Sequence, residues 1–169
     1  PNYWKAGAAH FDSVELIGIK DVSARTSALV SGEIDAYNFV DLKTIGLLER
    51  QSNVKVQRVA GKTHYVFAML CDAAPFTDKN VRQAMKYAID REEILAKILN
   101  GYGTVGNDQP INAAYQYYDA ALEQRTYDPD QAKFYLKQAG LGDVKAKLHV
   151  SELPFAGAAD AAQLFREQA

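Results

Sequence analysis

Apolar positions fall at helical spacing twice within residues 75–99, in the stretch PFTDKNVRQAMKYAIDREEIL (75–95) and the AKIL that follows it. Val81, Met85 and Ala88 follow Thr77 and Asp78; Ile94, Leu95, Ile98 and Leu99 follow Asp90. A short acceptor side chain ahead of such a stripe satisfies first-turn N–H groups, so two helices are predicted, meeting at Ile89-Asp90-Arg91. Glu93, three residues after Asp90, completes the capping-box pattern.

Elsewhere the pattern alternates between strand and helix. SVELIGIKD (13–21), EIDAYNFV (33–40), NVKVQRVAG (53–61) and VKAKLHVS (144–151) read as strands. THYVFAMLC (63–71) sets Tyr65, Phe67 and Met69 against Val66, Ala68 and Leu70. Both of its faces are apolar, as in a strand buried on two sides or crossing between two bodies. Ser23 is the expected cap of a helix ARTSALVS ended by Gly32, and Asp41 that of LKTIGLLERQ with the stripe Ile45, Leu47, Leu48. DPDQAKFYLKQAG (128–140) has Asp128 at the N-cap, Pro129 at N1, Gly140 at C′ and a face of Ala132, Tyr135, Leu136 and Ala139. The order β-α-β-α-β at the start favours a layered α/β architecture. A last helix, AADAAQLFREQA, carries Ala161, Leu164 and Phe165 on one face with no stop signal, so the chain reads as part of a longer protein. Residues 101–119 form a long connection rich in Gly, Asn and Tyr, the kind of loop that often carries function.

Composition narrows the chemistry. With 48% hydrophobic and 24% charged residues in 169, the chain has an ordinary globular make-up. Its net charge of -2 supplies no positive field for nucleic acid or anionic membrane, and its longest apolar runs are far too short to span a bilayer. A DNA-reading helix needs basic and amide groups facing the groove, whereas Asp90-Arg91-Glu92-Glu93 would aim carboxylates at phosphates. Those acids suit the positive end of a helix dipole instead. One cysteine, Cys71, excludes an internal disulfide and a multi-cysteine metal cluster. His10, His64 and His149 lack the short spacing of a zinc site. Glu92 and Glu93 point about 100° apart on a helix, and no nucleophile elbow, metalloprotease pair or phosphate-cradling loop is present. No enzyme activity, cofactor or metal is expected.

Four stretches together resemble the extracytoplasmic solute-binding proteins of peptide- and nickel-type ABC importers (bacterial extracellular solute-binding protein family 5). They are PNYWKAGAAHFDSVELIGIKD, ARTSALVSGEIDAYNFV, APFTDKNVRQAMKYAIDREEIL and YDPDQAKFYLKQAGL, in the family's order and spacing. The resemblance implies part of a two-lobed periplasmic-binding-protein fold (type II, with the large peptide binders), of mixed sheets flanked by helices. Residues 1–62 would end the N-terminal lobe and 63–169 begin the C-terminal lobe, with a hinge-crossing strand near 63–71. It also implies a monomer in the periplasm that takes a small solute, a peptide by expectation, between its lobes and delivers it to the permease. The family's acidic anchor for a peptide amino terminus, in a later Trp-containing segment, lies beyond residue 169. A regulatory or sensor module using the same fold is the alternative, and an attached basic winged-helix region would favour it.

Such a protein buries its ligand in a cleft, so the candidates are polar and aromatic groups near the crossing strand and in the long loop. They are His64, Tyr65, Phe67, Met69, Asn107 and Asp108. Asn107 offers donor and acceptor together, and Asp108 could take a solute ammonium. The structural alternatives are equally concrete: Tyr65 and Phe67 as core, His64 as a satisfied structural histidine, Asn107-Asp108 as a turn. Arg82 is expected to hold the helical corner or its neighbours.

Overall fold

A computed structural model describes residues 4–8, 10–59, 61–152 and 154–169. The helices among them are α1 (Val22–Ser31), α2 (Ile45–Leu48), α3 (Lys79–Tyr87), α4 (Arg91–Lys97), α5 (Pro129–Gln138) and α6 (Ala158–Gln168).

Local capping chemistry sets most of their ends. Asp78 accepts from the Asn80 N–H at 2.7 Å and opens α3; Asp90 accepts from the Glu93 N–H at 2.9 Å and opens α4. Asp128 accepts from the Asp130 and Gln131 N–H groups ahead of α5, with Pro129 at its first position. Gly140, at φ 73°, ends α5 as expected. Its N–H reaches the Lys137 carbonyl while the Leu141 N–H reaches Leu136, the paired bonds of a Schellman motif. In α1 the cap is Asp21, which accepts from the Ala24 N–H at 2.8 Å, rather than the expected Ser23.

Asp21 and Asp78 share a device. An arginine four residues on reaches back past the cap: Arg25 Nη1 donates to the Ile19 and Lys20 carbonyls, and Arg82 Nη1 to those of Phe76 and Thr77. Each arginine thereby fixes the angle at which the chain turns into its helix; Arg82 holds the entry to α3, not the corner at Asp90.

Two further expectations fail. The segment after Asp41 is helical only over Ile45–Leu48, because Asp41 accepts from the nearby Lys43 N–H in a tight turn instead of capping a longer helix. Ile45 and Leu48 are buried, but Leu47 is 61% exposed. The stretches 13–21, 33–40, 53–59, 63–71 and 144–151 run as irregular backbone, with no ladder pairing among the described residues; residue 60 of the expected strand 53–61 lies outside the described residues. The expected mixed sheets are therefore not formed there. Alternating hydrophobicity fixes which face of a strand is apolar, but a strand exists only when a neighbour takes up its backbone hydrogen bonds.

The packed centre lies between helices. α3 lies against α5. Ala88, Ala132 and Phe165 form a buried cluster flanked by Phe67, Met85, Tyr87 and Ile89. The Tyr87 and Tyr135 rings stack at 5.7 Å, and the Asp128 N–H donates to the Tyr87 carbonyl at 2.9 Å, joining the end of α3 to the start of α5. The expected faces of α5 and α6 thus point inward, with Ala132, Ala161 and Phe165 buried.

The corner between α3 and α4 is closed by a residue from far along the chain. Gln168, near the end of α6, accepts from the Asp90 N–H at 3.0 Å and donates to Glu93 Oε2 at 2.7 Å. It takes the place of the direct Glu93-to-Asp90 bond of a capping box. Hydrogen bonds from Lys97 and Gln168 hold the Glu93 carboxyl below its usual range.

At its other end α6 follows Gly157, and Glu152 caps it. The Glu152 carboxylate accepts from the Gly157 and Ala159 N–H groups at 2.9 and 3.1 Å, and these bonds lower its pKa. Gly157 is required here: its φ is 93°, and a Cβ would stand 2.9 Å from Ile98 Cγ2 at the end of α4.

Candidate functional site

The six candidates occupy two places. His64, Tyr65, Phe67 and Met69 lie on the extended run against the helical core. The period-two pattern holds: Phe67 and Met69 are half-buried, while His64, Val66, Ala68 and Leu70 face outward. Phe67 stacks on Phe165 of α6 at 5.1 Å, and Tyr65, itself 47% exposed, stacks on Phe155 at 4.1 Å. Phe67 therefore serves the core, and Tyr65 builds an aromatic step at the core's edge. The opposite face of this run is apolar and open, with Val66 69% and Leu70 68% exposed.

Asn107 and Asp108 lie in the long loop, and every polar arm of the pair is engaged. Asn107 accepts from the Arg125 N–H at 2.9 Å and donates to the Leu122 and Glu123 carbonyls. Asp108, at φ 53°, spreads its carboxylate between two guanidinium groups. Arg91 Nη2 meets Oδ1 at 2.7 Å and Arg125 Nη1 meets Oδ2. Arg125 also lies over the Tyr87 ring at 4.9 Å. Burial works against its charge, but hydrogen bonding to Tyr87 and the charge of Asp108 outweigh that and raise its pKa. The loop is thereby tied to α4 and to the 122–125 segment.

Two clefts open beside these features. One, of about 240 Å³, is lined by residues including Arg91, Val105, Arg125 and Tyr127, next to the Asp108 pairs. The other, of about 210 Å³, lies between Leu42, Lys43, Ile98, Glu152, Gly157 and Asp160. None of the six candidates lines either cleft, and each is smaller than the roughly 300 Å³ at which ligand pockets begin. The described residues contain no group of three or more His, Cys, Asp or Glu placed to hold a metal ion, and no helix long and apolar enough to cross a membrane.

Arg91, Arg125, Glu152 and Gln168 were not legible as partners in the sequence. Arg125 stands in an unpatterned segment, and Gln168 is 75 to 78 residues from the groups it joins. The tyrosine-rich loop was the only local signal, and it does supply Tyr102 and Tyr115 to long-range contacts.

The family model of the bacterial extracellular solute-binding proteins, family 5, middle region, matches residues 1–168. Of the stretches that carried the resemblance, Pro1, Asn2, Tyr3 and Ala9 lie outside the described residues. Heme-binding protein A of Haemophilus influenzae is 28% identical over 139 residues, covering 82% of this chain and 25% of that protein. Glutathione-binding protein GsiB of Pectobacterium atrosepticum is 28% identical over 138 residues, covering 82% and 26%. The ABC transporter-associated periplasmic binding protein DppA of Helicobacter pylori, solved with the peptide STSA, superposes with a TM-score of 0.63 at 26% identity, over 73% of this chain and 24% of that one. The architecture is therefore part of a periplasmic-binding-protein fold, and the chain spans about a quarter of the length of these relatives.

Proposed function

Because the chain belongs to the bacterial extracellular solute-binding proteins of family 5, we propose that it is part of a solute-capturing component of an ABC importer. It acts outside the cytoplasm, takes a peptide or similar small solute between two lobes and hands it to a membrane permease. The reading rests on the family match, which runs from residue 1 to 168. Relatives named for glutathione binding and solved with a bound peptide favour a peptide-like solute. Such a protein works by burial and closure and needs no catalytic group.

In this reading residues 1–62 belong to the N-terminal lobe, 63–169 begin the C-terminal lobe, and 63–71 carries the chain across the hinge. The stretches lacking ladder partners become strands of mixed sheets once the remaining sequence lies beside them. Surface area supports this. A monomer of this mass exposes about 8,300 Å² by size scaling, whereas this chain exposes 13120 Å². The excess includes Leu16, Val66, Leu70, Leu148 and Val150, all on expected strands. The solute-facing groups are His64, Tyr65 and Met69 along the crossing run, with Phe67 seated in the core behind them and Asn107 and Asp108 shaping the loop beside it.

Native mass spectrometry of the full-length protein purified from its host tests this. A retained solute of peptide mass, and a rise in melting temperature on adding short peptides, are expected. A protein that carries nothing and is not stabilised by any member of a peptide panel would refute the proposal.

A further inference from the structure

Segment 53–62 and the loop 101–119 meet through two cations and two aromatic rings. The Arg58 guanidinium carbon lies 4.4 Å from the centre of the Tyr102 ring, and Nη2 donates to the Tyr102 hydroxyl at 3.0 Å. The same nitrogen meets Glu49 at 3.1 Å, which orients the guanidinium. Four residues on, Lys62 Nζ lies 4.7 Å from the centre of the Tyr115 ring, whose hydroxyl donates to the Lys62 carbonyl at 3.4 Å. Lys43 adds an ion pair to Asp160 at 3.8 Å. Both cations belong to one short segment and both rings to one loop, 44 and 53 residues away.

The loop is bonded to the helical body. Asp108 holds it to Arg91 of α4, and Asn107 to the 122–125 segment. Contacts between segment 53–62 and the two tyrosines therefore join that segment to the helical body. Each contact is exposed, so breaking it strands no buried charge. Formed together on one segment, the second contact is favoured by the first, since closing one raises the effective concentration of the other. Cheap to open and cooperative to close is the behaviour of a latch.

We propose that Arg58 with Tyr102 and Lys62 with Tyr115 form a two-point latch across the boundary at residues 62–63, setting how far the two lobes part. The latch rests on the lobe division proposed above. It lies immediately before the crossing run, beside the axis about which the lobes would turn. It makes these four residues positioning groups for the cleft, without contact to solute.

The test uses the full-length protein with Cys71→Ser and nitroxide labels introduced by Lys55→Cys and Gln116→Cys. Distances are read by double electron–electron resonance without solute. The parent and the Tyr102→Phe/Tyr115→Phe pair, which keep the rings, are expected to give a narrow short distance. The Tyr102→Leu/Tyr115→Leu pair should shift the latched-to-open ratio about 5- to 30-fold toward longer distances, the effect of losing two exposed cation–π contacts. An unchanged distribution in the folded Leu pair overturns the latch. Should that pair lose its cooperative melt, Arg58→Gln/Lys62→Gln keeps the rings and removes the cations; the same shift is expected, and its absence overturns the proposal. The readout needs no solute, so a failed latch and a failed solute reading give separate results.

Discussion

Replacing Gly157 with alanine probes the junction between α4 and α6, where two costs coincide. At φ 93° an L-residue sits in the left-handed region, which costs about 1–2 kcal/mol. The new Cβ would also stand 2.9 Å from Ile98 Cγ2, and forcing a carbon into a packed contact costs about 1–3 kcal/mol. Ile98 is half-buried at the C-cap of α4, so its β-branched side chain has few rotamers into which to retreat. The variant should lose about 2–5 kcal/mol in urea unfolding followed by circular dichroism, with an unchanged denaturant slope. A double-mutant cycle separates the two costs. Ile98→Ala deletes Cγ2, so Gly157→Ala in that background should cost only the backbone share, about 1–2 kcal/mol. A single variant within about 0.5 kcal/mol of the parent would refute the reasoning. So would costs that simply add, because the clash would then not be with Ile98.

Three further outcomes are expected. Glu152→Gln should lower the melting temperature most at neutral pH: the folded carboxyl is held below 4.5, so its contribution is complete above that value and is lost as pH falls through the lowered folded pKa. Melts of parent and variant should therefore converge in acid; a constant gap across pH would count against the cap. Gln168→Ala should speed hydrogen exchange at the Asp90 amide relative to the α5 interior, and unchanged exchange there would show that Gln168 does not close the corner. Asp108→Asn leaves Arg91 and Arg125 without their shared carboxylate. It should cost about 1.5–3 kcal/mol and open residues 101–127 to proteolysis, whereas an unaltered digestion pattern would mean that the loop is anchored elsewhere.

Sequence reading succeeded where the signal was local. Asp78, Asp90 and Asp128 act on N–H groups two or three residues ahead, and Gly140 on carbonyls a few residues behind. Such contacts need no knowledge of the rest of the chain. The same logic misplaced one cap, since Asp21 and Ser23 are both competent acceptors and only the backbone shows which stands first. It over-extended the helix after Asp41, where the side chain had a nearer N–H to satisfy. At the candidate site it found the alternation of 64–70 and the unusual loop. It could not foresee that Phe67 would meet Phe165, or that Asp108 would be held by two arginines, 17 residues before it and 17 after.

The sequence by itself determined where α3, α4 and α5 begin, where α5 ends, which faces of α5 and α6 are apolar and, through four motifs in order, the family. Helical hydrogen bonds, caps and amphipathic stripes are all written within a turn or two of each residue. Only the tertiary structure decided that Gln168 would close the α3–α4 corner, that Glu152 would cap α6, and that Arg58 and Lys62 would rest on tyrosines 44 and 53 residues away. Those partners are chosen by proximity after packing, and a side chain's spacing along the chain carries no record of what packing will bring beside it.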